Sequence, residues 1–290
     1  MPPLSFIKIL GNLKFLAAGK KLPVEWKAPS GDPAAKHYGD ALKPDEKVAV
    51  PQLIPPWFLP QEPTKYFQDS CDKIGQGMKD FHDAIIDAVG FSHNLWKLQA
   101  KFQNLQIMAV SAIGSPGCLD GPELEANIKN APMVAAYTGN KAKYRDAVAA
   151  GVSKCFKQWQ GQVMVPGLPW YPAFAAFPGP MAPPMPNIPT PLIACPSAMM
   201  TSIVMPDSMK REMVNALDGG VKDKDKDKHY EALFDAIATV LALAFMMWLP
   251  QQQVMLVLGK GPIPTFAPPF VPVGPVMAGD NIAAPGHLMS

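Results

Sequence analysis

The sequence predicts a mainly α protein with long proline-rich extended arms, an internally duplicated helix-plus-arm unit and little regular sheet. Three observations lead to this fold class. Proline is unusually abundant, at 34 of 290 residues, which is about twice the ordinary ~5%. Apolar residues recur with helical spacing between the proline-rich segments. One helical pattern that begins with Asp-Ala and reaches a tryptophan occurs three times.

The composition of the chain limits which kinds of partner it can bind. The formal net charge is only +2, and charged residues make up 17% of the chain. This lacks both the basic excess of a nucleic-acid binder and the high charge of a disordered chain. Cys71, Cys118, Cys155 and Cys195 lie too far apart for a zinc motif. We therefore expect buried thiols and no bound metal, although one disulfide is compatible with the sequence.

Shifts in composition divide the chain into helical and extended regions. The N-terminal region is predicted to be extended, with at most one short helix near Phe6–Leu16, because prolines interrupt its apolar runs. Helical periodicity dominates the regions that hold the repeats. The predicted divisions are an N-terminal arm 1–64, a helical region 65–165, a proline-rich arm 166–206, a helical region 207–258 and a C-terminal arm 259–290.

The repeated pattern occupies Asp83–Trp96, Asp146–Trp159 and Asp235–Trp248. Mostly apolar residues stand two, six and ten positions after each aspartate, which places them on one helix face with the tryptophan. A tryptophan at a repeated helix position is more often a core anchor than part of a ligand cage, so all three are predicted anchors. The last two copies each precede a proline-rich stretch, which indicates duplication, and the arm of the first copy is reduced.

The arms are predicted to bury their side chains against an apolar surface. Proline fixes φ and has no backbone N–H, so a proline-rich chain can lie on such a surface with few unsatisfied donors. Aromatic and methionine side chains alternate with prolines in both arms, and these side chains are the candidate subunit contacts. They are Trp170, Tyr171, Phe174, Phe177, Met181, Met185, Phe266, Phe270 and Met277.

Two stretches only superficially resemble ligand-binding loops. Asp223–Glu231 alternates carboxylates as a calcium loop does, but Lys228 stands where that loop needs glycine and Phe234 where it needs glutamate. The stretch "LGKGP" at 258–262 lacks the spacing of a phosphate-binding loop. Both are expected to be structural, so no cofactor and no metal is predicted.

The histidines suggest no catalytic pair. His82 stands beside Asp83, and His93 lies on the same predicted helix face. Three helical turns separate the two histidines by about 16 Å along the axis, so a structural role is expected for each. No small-molecule substrate is indicated.

These features favour a non-enzymatic structural subunit of a large assembly. Its arms would bind copies of itself and other subunits, and nucleic acid would not be a partner. Repeats within one chain help to match rings of different symmetry, and by analogy phage tails, baseplates and contractile injection machines need such matching. The expected location is a cytoplasmic assembly, a virion or an extracellular particle.

Two other function classes stay open. A membrane-associated or pore-associated protein would use the apolar helix Ala236–Leu249. Its fourteen residues fall short of the ~20 that span a bilayer, so the sequence disfavours a membrane. An enzyme of unfamiliar type would need histidine and carboxylate side chains that converge in a pocket.

Overall fold

The computed structural model describes residues 3–20, 65–265 and 275–288, with residues 65–70 described by their helical backbone only. About 52% of the described residues are helical and 17% are strand. The prediction of a mainly α chain with little regular sheet is therefore wrong. The fold is mixed, and a six-stranded antiparallel sheet accompanies the helices.

The elements of the described residues follow in chain order. The helices are α1 (Lys8–Ala17), α2 (Lys65–Gln99), α3 (Leu124–Lys129), α4 (Gly139–Gly161), α5 (Pro172–Ala175), α6 (Thr201–Val204), α7 (Pro206–Ala216), α8 (Gly219–Lys222) and α9 (His229–Gln251). The strands are β1 (Lys101–Phe102), β2 (Gln106–Met108), β3 (Ser111–Gly114), β4 (Leu119–Asp120), β5 (Val165–Pro169), β6 (Met181–Pro186), β7 (Thr190–Pro191), β8 (Gln253–Val254), β9 (Leu258–Pro262) and β10 (Gly279–Asn281).

Three layers of rings join the inner helices α2, α4 and α9, which carry the three repeats. Each layer takes one ring from each helix, and the layers follow in the same order along each helix, so the three helices run parallel around one axis. In the middle layer the ring centroids lie 5.6–5.9 Å apart, and in the tryptophan layer 5.9–6.2 Å apart. The layers are Phe81, Tyr144 and Phe234, then His93, Phe156 and Phe245, then Trp96, Trp159 and Trp248.

Three outer helices fill the grooves between the inner ones. Helix α3 packs on α2 and α4, and α7 packs on α4 and α9. Helix α1, which confirms the short helix predicted near Phe6–Leu16, packs on α9. Its Lys8 pairs with Asp87 of α2 (2.7 Å) and its Lys14 with Asp235 of α9 (3.3 Å). The outer layer therefore repeats around the same axis as the inner one.

The six-stranded sheet curls until its two edges meet. Its strand order is β5-β3-β2-β10-β9-β6, with antiparallel pairing throughout. The edge strands β5 and β6 are joined by an antiparallel bridge between Trp170 and Asn187. The N–H of Ile188 also donates to the carbonyl of Pro169 (2.8 Å). The strands thus enclose a small barrel at the carboxyl end of the helical bundle.

The prolines explain why the sequence did not predict this sheet. Proline cannot donate to a strand ladder, and it is confined to edges and bulges. Strands β5 and β6 carry the prolines in "VPGLP" and "MAPPMP", and they face each other across the seam where few ladder bonds form. Pro183 and Pro184 lie at a shift of register between β6 and β9. Parts of the predicted arms 166–206 and 259–290 therefore form strands of the barrel, while the predicted N-terminal arm 1–64 lies mostly outside the described residues.

Each repeat contributes one helix and one hairpin, and the hairpins contact each other cyclically. Strands β2 and β3 form the first hairpin and β9 and β10 the third. We count β5 and β6, which are joined by the bridge at the seam, as the second. Between units, β3 pairs with β5, β6 with β9, and β10 with β2. At the end of the barrel farthest from the helices, one equivalent hydrogen bond joins each pair of units. These bonds run from Ala109 N to Val276 O (2.7 Å), from Trp170 N to Val110 O (2.8 Å) and from Ile263 N to Pro180 O (2.8 Å).

Two asparagine side chains hold neighbouring units together near the helices. Oδ1 of the buried Asn187 accepts from the N–H of Val257 (3.0 Å), and its Nδ2 donates to the carbonyl of Val254 (2.9 Å). The two partners stand nine and six residues after Trp248. Asn281 makes the same two bonds with the residues that stand nine and six positions after Trp96. Its Oδ1 accepts from the N–H of Leu105 (3.0 Å), and its Nδ2 donates to the carbonyl of Phe102 (2.8 Å).

The backbone also repeats between the first and third units. Asn104 and Leu256 each stand eight residues after a repeat tryptophan, and both are left-handed, with φ of 57° and 60°. Asparagine tolerates this conformation, whereas leucine rarely adopts it.

Replacing Leu256 with asparagine should stabilise the protein. Asparagine removes part of the left-handed penalty of about 1 kcal/mol, and the Leu256 side chain is 53% exposed, so little burial is lost. The reverse change, Asn104→Leu, should destabilise it by a similar amount. Urea unfolding of both variants measures the two free energies. Changes of the same sign would contradict the equivalence of the two positions.

Removing either asparagine bridge should weaken the barrel. Asn187→Ala or Asn281→Ala leaves an N–H and a carbonyl without their partner, which should lower the free energy of unfolding by about 1–3 kcal/mol each. Asn94→Ala, on an exposed position of α2, is the matched control. Chemical denaturation compares all three variants. A loss at Asn187 or Asn281 no larger than that of the control would refute the bridging role.

Candidate functional site: the barrel rim

Two of the predicted subunit contacts lie inside the barrel of their own chain. Trp170 is 2% exposed and Phe174 is fully buried, with 6.1 Å between their ring centroids. The indole N–H of Trp170 donates to the carbonyl of Met185 (3.0 Å). A Cβ on Gly259 would lie only 2.9 Å from that indole nitrogen. The glycine of "LGKGP" therefore makes room for Trp170, and these buried rings cannot bind a neighbouring subunit.

The other predicted contacts divide into three groups. Phe177 and Met185 are partly buried against the core. Tyr171, Met181 and Met277 are exposed. Phe266 and Phe270 lie outside the described residues. The structure thus brings together three of the nine predicted side chains on one exposed surface.

The predicted anchors Trp96, Trp159 and Trp248 are at most 1% exposed and form one cluster. The indole N–H of Trp96 donates to Oε1 of Gln160 (2.8 Å), and that of Trp248 to Oε1 of Gln252 (3.0 Å). The rings pack against one another and not around a cavity. Their arrangement is that of a core layer.

The exposed surface is the rim of the barrel, at the end farthest from the helices. We define the rim as Met108, Val110, Tyr171, Met181 and Met277, whose exposed fractions are 56%, 36%, 47%, 60% and 45%. All three units contribute to it. The sequence contains no Asp, Glu, Lys or Arg at 102–119, 158–206 or 261–279, so every strand end at the rim is uncharged.

Sequence reasoning missed Met108, Val110 and the two bridging asparagines. A signal for the first hairpin was present. The stretch "SPGCL" at 115–119 matches "APGHL" at 284–288, and the glycines of both are left-handed, with φ of 88° at Gly117 and 100° at Gly286. Aligning these stretches would have placed a complete arm after the first helix.

Cys118 and His287 occupy equivalent positions in those two stretches and both bind the next unit. Cys118 Sγ donates to the carbonyl of Val163 (3.4 Å), and His287 Nδ1 accepts from the N–H of Phe102 (2.8 Å). Burial raises the pKa of Cys118 to about 11 and lowers that of His287 to about 4. All four cysteines are buried free thiols, as expected.

His93 lies in the aromatic core and has no access to a substrate. It stacks on Trp96. It also packs edge-to-face with Trp248, with 4.5 Å between the two ring centroids. Burial, and then the nearby Lys97, hold the pKa of His93 well below its usual value. His82 is also buried, with Nδ1 2.8 Å from Asp83 Oδ1. These observations favour structural roles for both histidines.

A cavity of about 470 Å³ lies between the amino-terminal ends of the inner helices. Its lining is mostly apolar but includes Tyr144, Asp225 and His229. His229 Nδ1 lies 2.6 Å from one carboxylate oxygen of Asp225, and the other oxygen accepts from the N–H of Tyr230 (3.0 Å). Burial raises the pKa of Tyr144 to about 12. Through its bond to the N–H of Tyr230, the carboxylate of Asp225 caps the amino end of α9, and together with His229 it lines the cavity.

Asp225 belongs to the charged loop that resembles a calcium site. Within the described ranges, no group of three or more His, Cys, Asp or Glu side chains could hold a metal ion.

Helix α9 meets the length and composition of a membrane span, but it is a core helix here. The structure buries 72% of its most apolar stretch. Ala236, Ile237, Leu241 and Phe245 are all fully buried against the bundle.

Changing His287 should alter how stability depends on pH. Its pKa is about 4 when folded and about 6.5 when unfolded, so the unfolded state binds more protons between these values. The free energy of unfolding should therefore fall as pH drops from 6.5 to 4. His287→Asn keeps an acceptor for Phe102 N–H but cannot titrate, and it should reduce that slope. Urea unfolding at several pH values measures it, and equal slopes would disprove the assignment.

Comparisons with protein-family models, with curated proteins and with solved structures find no match for this chain. Its function must therefore be inferred from its own residues and their geometry.

Proposed function

We propose that the chain is a non-enzymatic structural subunit of a large assembly of the kind found in phage tails, baseplates and contractile injection machines. The supporting observation is the cyclic arrangement of three helix-and-hairpin units in one chain. A single chain thereby presents nearly the same structure three times around one axis.

Internal three-fold repetition is useful to a subunit that lies on a symmetry axis. Most large assemblies are built from identical chains in closed symmetric rings. A single asymmetric chain on the axis of such a ring can contact only one neighbour well. A chain with three similar units can offer similar contacts to three neighbours at once.

The surface chemistry also supports an assembly role. Exposed methionines make adaptable contacts because their side chains are flexible and polarisable. Met181 and Met277 stand directly after the acceptors of two equivalent inter-unit bonds, Pro180 and Val276. An apolar surface that recurs with the internal symmetry fits repeated contact with other subunits.

The assembly role can be tested by sedimentation. The tagged chain, expressed in its native host, should sediment with a particle far larger than its own 31.3 kDa in a sucrose gradient of gently lysed cells. Dilution should not release it, because subunit interfaces of a stable particle bury large areas. Purified chain alone marks the position of the free protein. If all of the chain in the lysate sediments at that position, the proposal fails.

A further inference from the structure

We propose that the barrel rim docks on the end of a homotrimeric protein, with one copy of this chain on the three-fold axis of three identical partner chains. This inference rests on the proposed function, because it names the partner and the surface of that same assembly contact. Self-association of the chain and contact with a membrane are the competing occupants of the rim.

The rim follows the internal repetition of the chain. The first unit supplies Met108 and Val110, the second Tyr171 and Met181, and the third Met277. One inter-unit bond of 2.7–2.8 Å joins each pair of units at this end. Met181 and Met277 directly follow the acceptors of two of these bonds. Ser111 has that position in the first unit, where Met108 and Val110 are the exposed apolar side chains instead. A partner that repeats three times around the axis would meet an exposed apolar side chain in each repeat.

The absence of charge at the rim defines the chemistry of the partner. Burying an ionised side chain without a partner is costly, so an uncharged surface complements an apolar, uncharged one. The nearest described charges in the third hairpin, Lys260 and Asp280, lie 3.9 Å apart on adjacent strands and face each other. The end of the trimer should therefore carry three identical apolar surfaces without ionisable groups.

Neither competing occupant accounts for all of these features. A protein that lies on a membrane usually places lysine or arginine beside its apolar face to meet anionic headgroups, and the rim has neither. Association with a second copy requires one self-complementary patch related by a two-fold axis. Such a patch needs exposed apolar side chains in only one or two of the units. A partner that itself repeats three times accounts for an exposed apolar side chain in every unit.

Site-specific photo-cross-linking within the native particle tests this inference. A benzophenone amino acid replaces Met108, Met181 or Met277, one exposed methionine from each unit, in three separate variants. Met246, which is 53% exposed on helix α9, is the matched control position. After irradiation, gradient-purified particles are analysed by mass spectrometry of the cross-linked peptides.

The expected result is specific to a trimer. All three rim variants should cross-link to the same short region of the same partner polypeptide, because three identical chains present that region to three different units. The control variant should not label that region. Native mass spectrometry of the complex released from the particle should give one copy of this chain for three partner chains.

Charge at the rim should block docking. The double variant Met181→Glu/Met277→Glu should reduce incorporation into the particle about tenfold or more, because two carboxylates would be buried without partners. Met246→Glu should leave incorporation unchanged. Both variants should stay folded, because each altered side chain is exposed. Thermal unfolding of the purified variants measures this.

Several outcomes would overturn the inference. These are cross-links to a second copy of this chain, to lipid, to unrelated regions of the partner, or to nothing. Each of them leaves the structural role intact as long as the chain sediments with the particle. If the chain is absent from every particle, the proposed function itself has failed, and the gradient reveals this before any cross-linking is done.

Discussion

Mutual packing of one aromatic ring from each of three helices is the interaction on which the rest of the structure depends. In the tryptophan layer, Trp96, Trp159 and Trp248 fix the ends of α2, α4 and α9 at the same height. All three chain segments therefore leave the bundle at one end, and each turns into a barrel strand six to ten residues after its tryptophan. The barrel can close only because the helices are parallel and in register.

The repeated helix could be predicted from the sequence because its pattern is local. A fixed distance from aspartate to tryptophan and a single apolar face are properties of one helix, and the inner helices follow them. The sheet was not readable, because pairing partners lie far apart and prolines argue against strands. Pro166, Pro169 and Pro186 take part nonetheless, since they lie in the strands that flank the seam. The three exposed candidate contacts followed from composition, but the burial of Trp170 and Phe174 depends on the closed barrel.

Polar side chains within the apolar interior have distinct costs and roles. Asn187 satisfies both of its partners, so its burial adds specificity to the closure of the barrel at little cost. His287 satisfies Phe102 through one ring nitrogen, while its Nε2 has no hydrogen-bond partner among the described residues. His93 packs against four aromatic rings, those of Trp96, Phe156, Phe245 and Trp248. Each of these histidines must stay neutral to be tolerated, and both pKa values are lowered by burial.

The position of β10 inside the sheet has a consequence for biosynthesis. Gly279 pairs with Ile107, a residue made 172 positions earlier in the chain. While the nascent chain is on the ribosome, β2 has its β3 partner but an open edge on its other side. The barrel therefore closes only after β10 has emerged from the ribosome, and contacts of such long sequence separation form slowly. Until β10 arrives, the open edge of β2 can pair with strands of other chains, so aggregation competes with closure of the barrel.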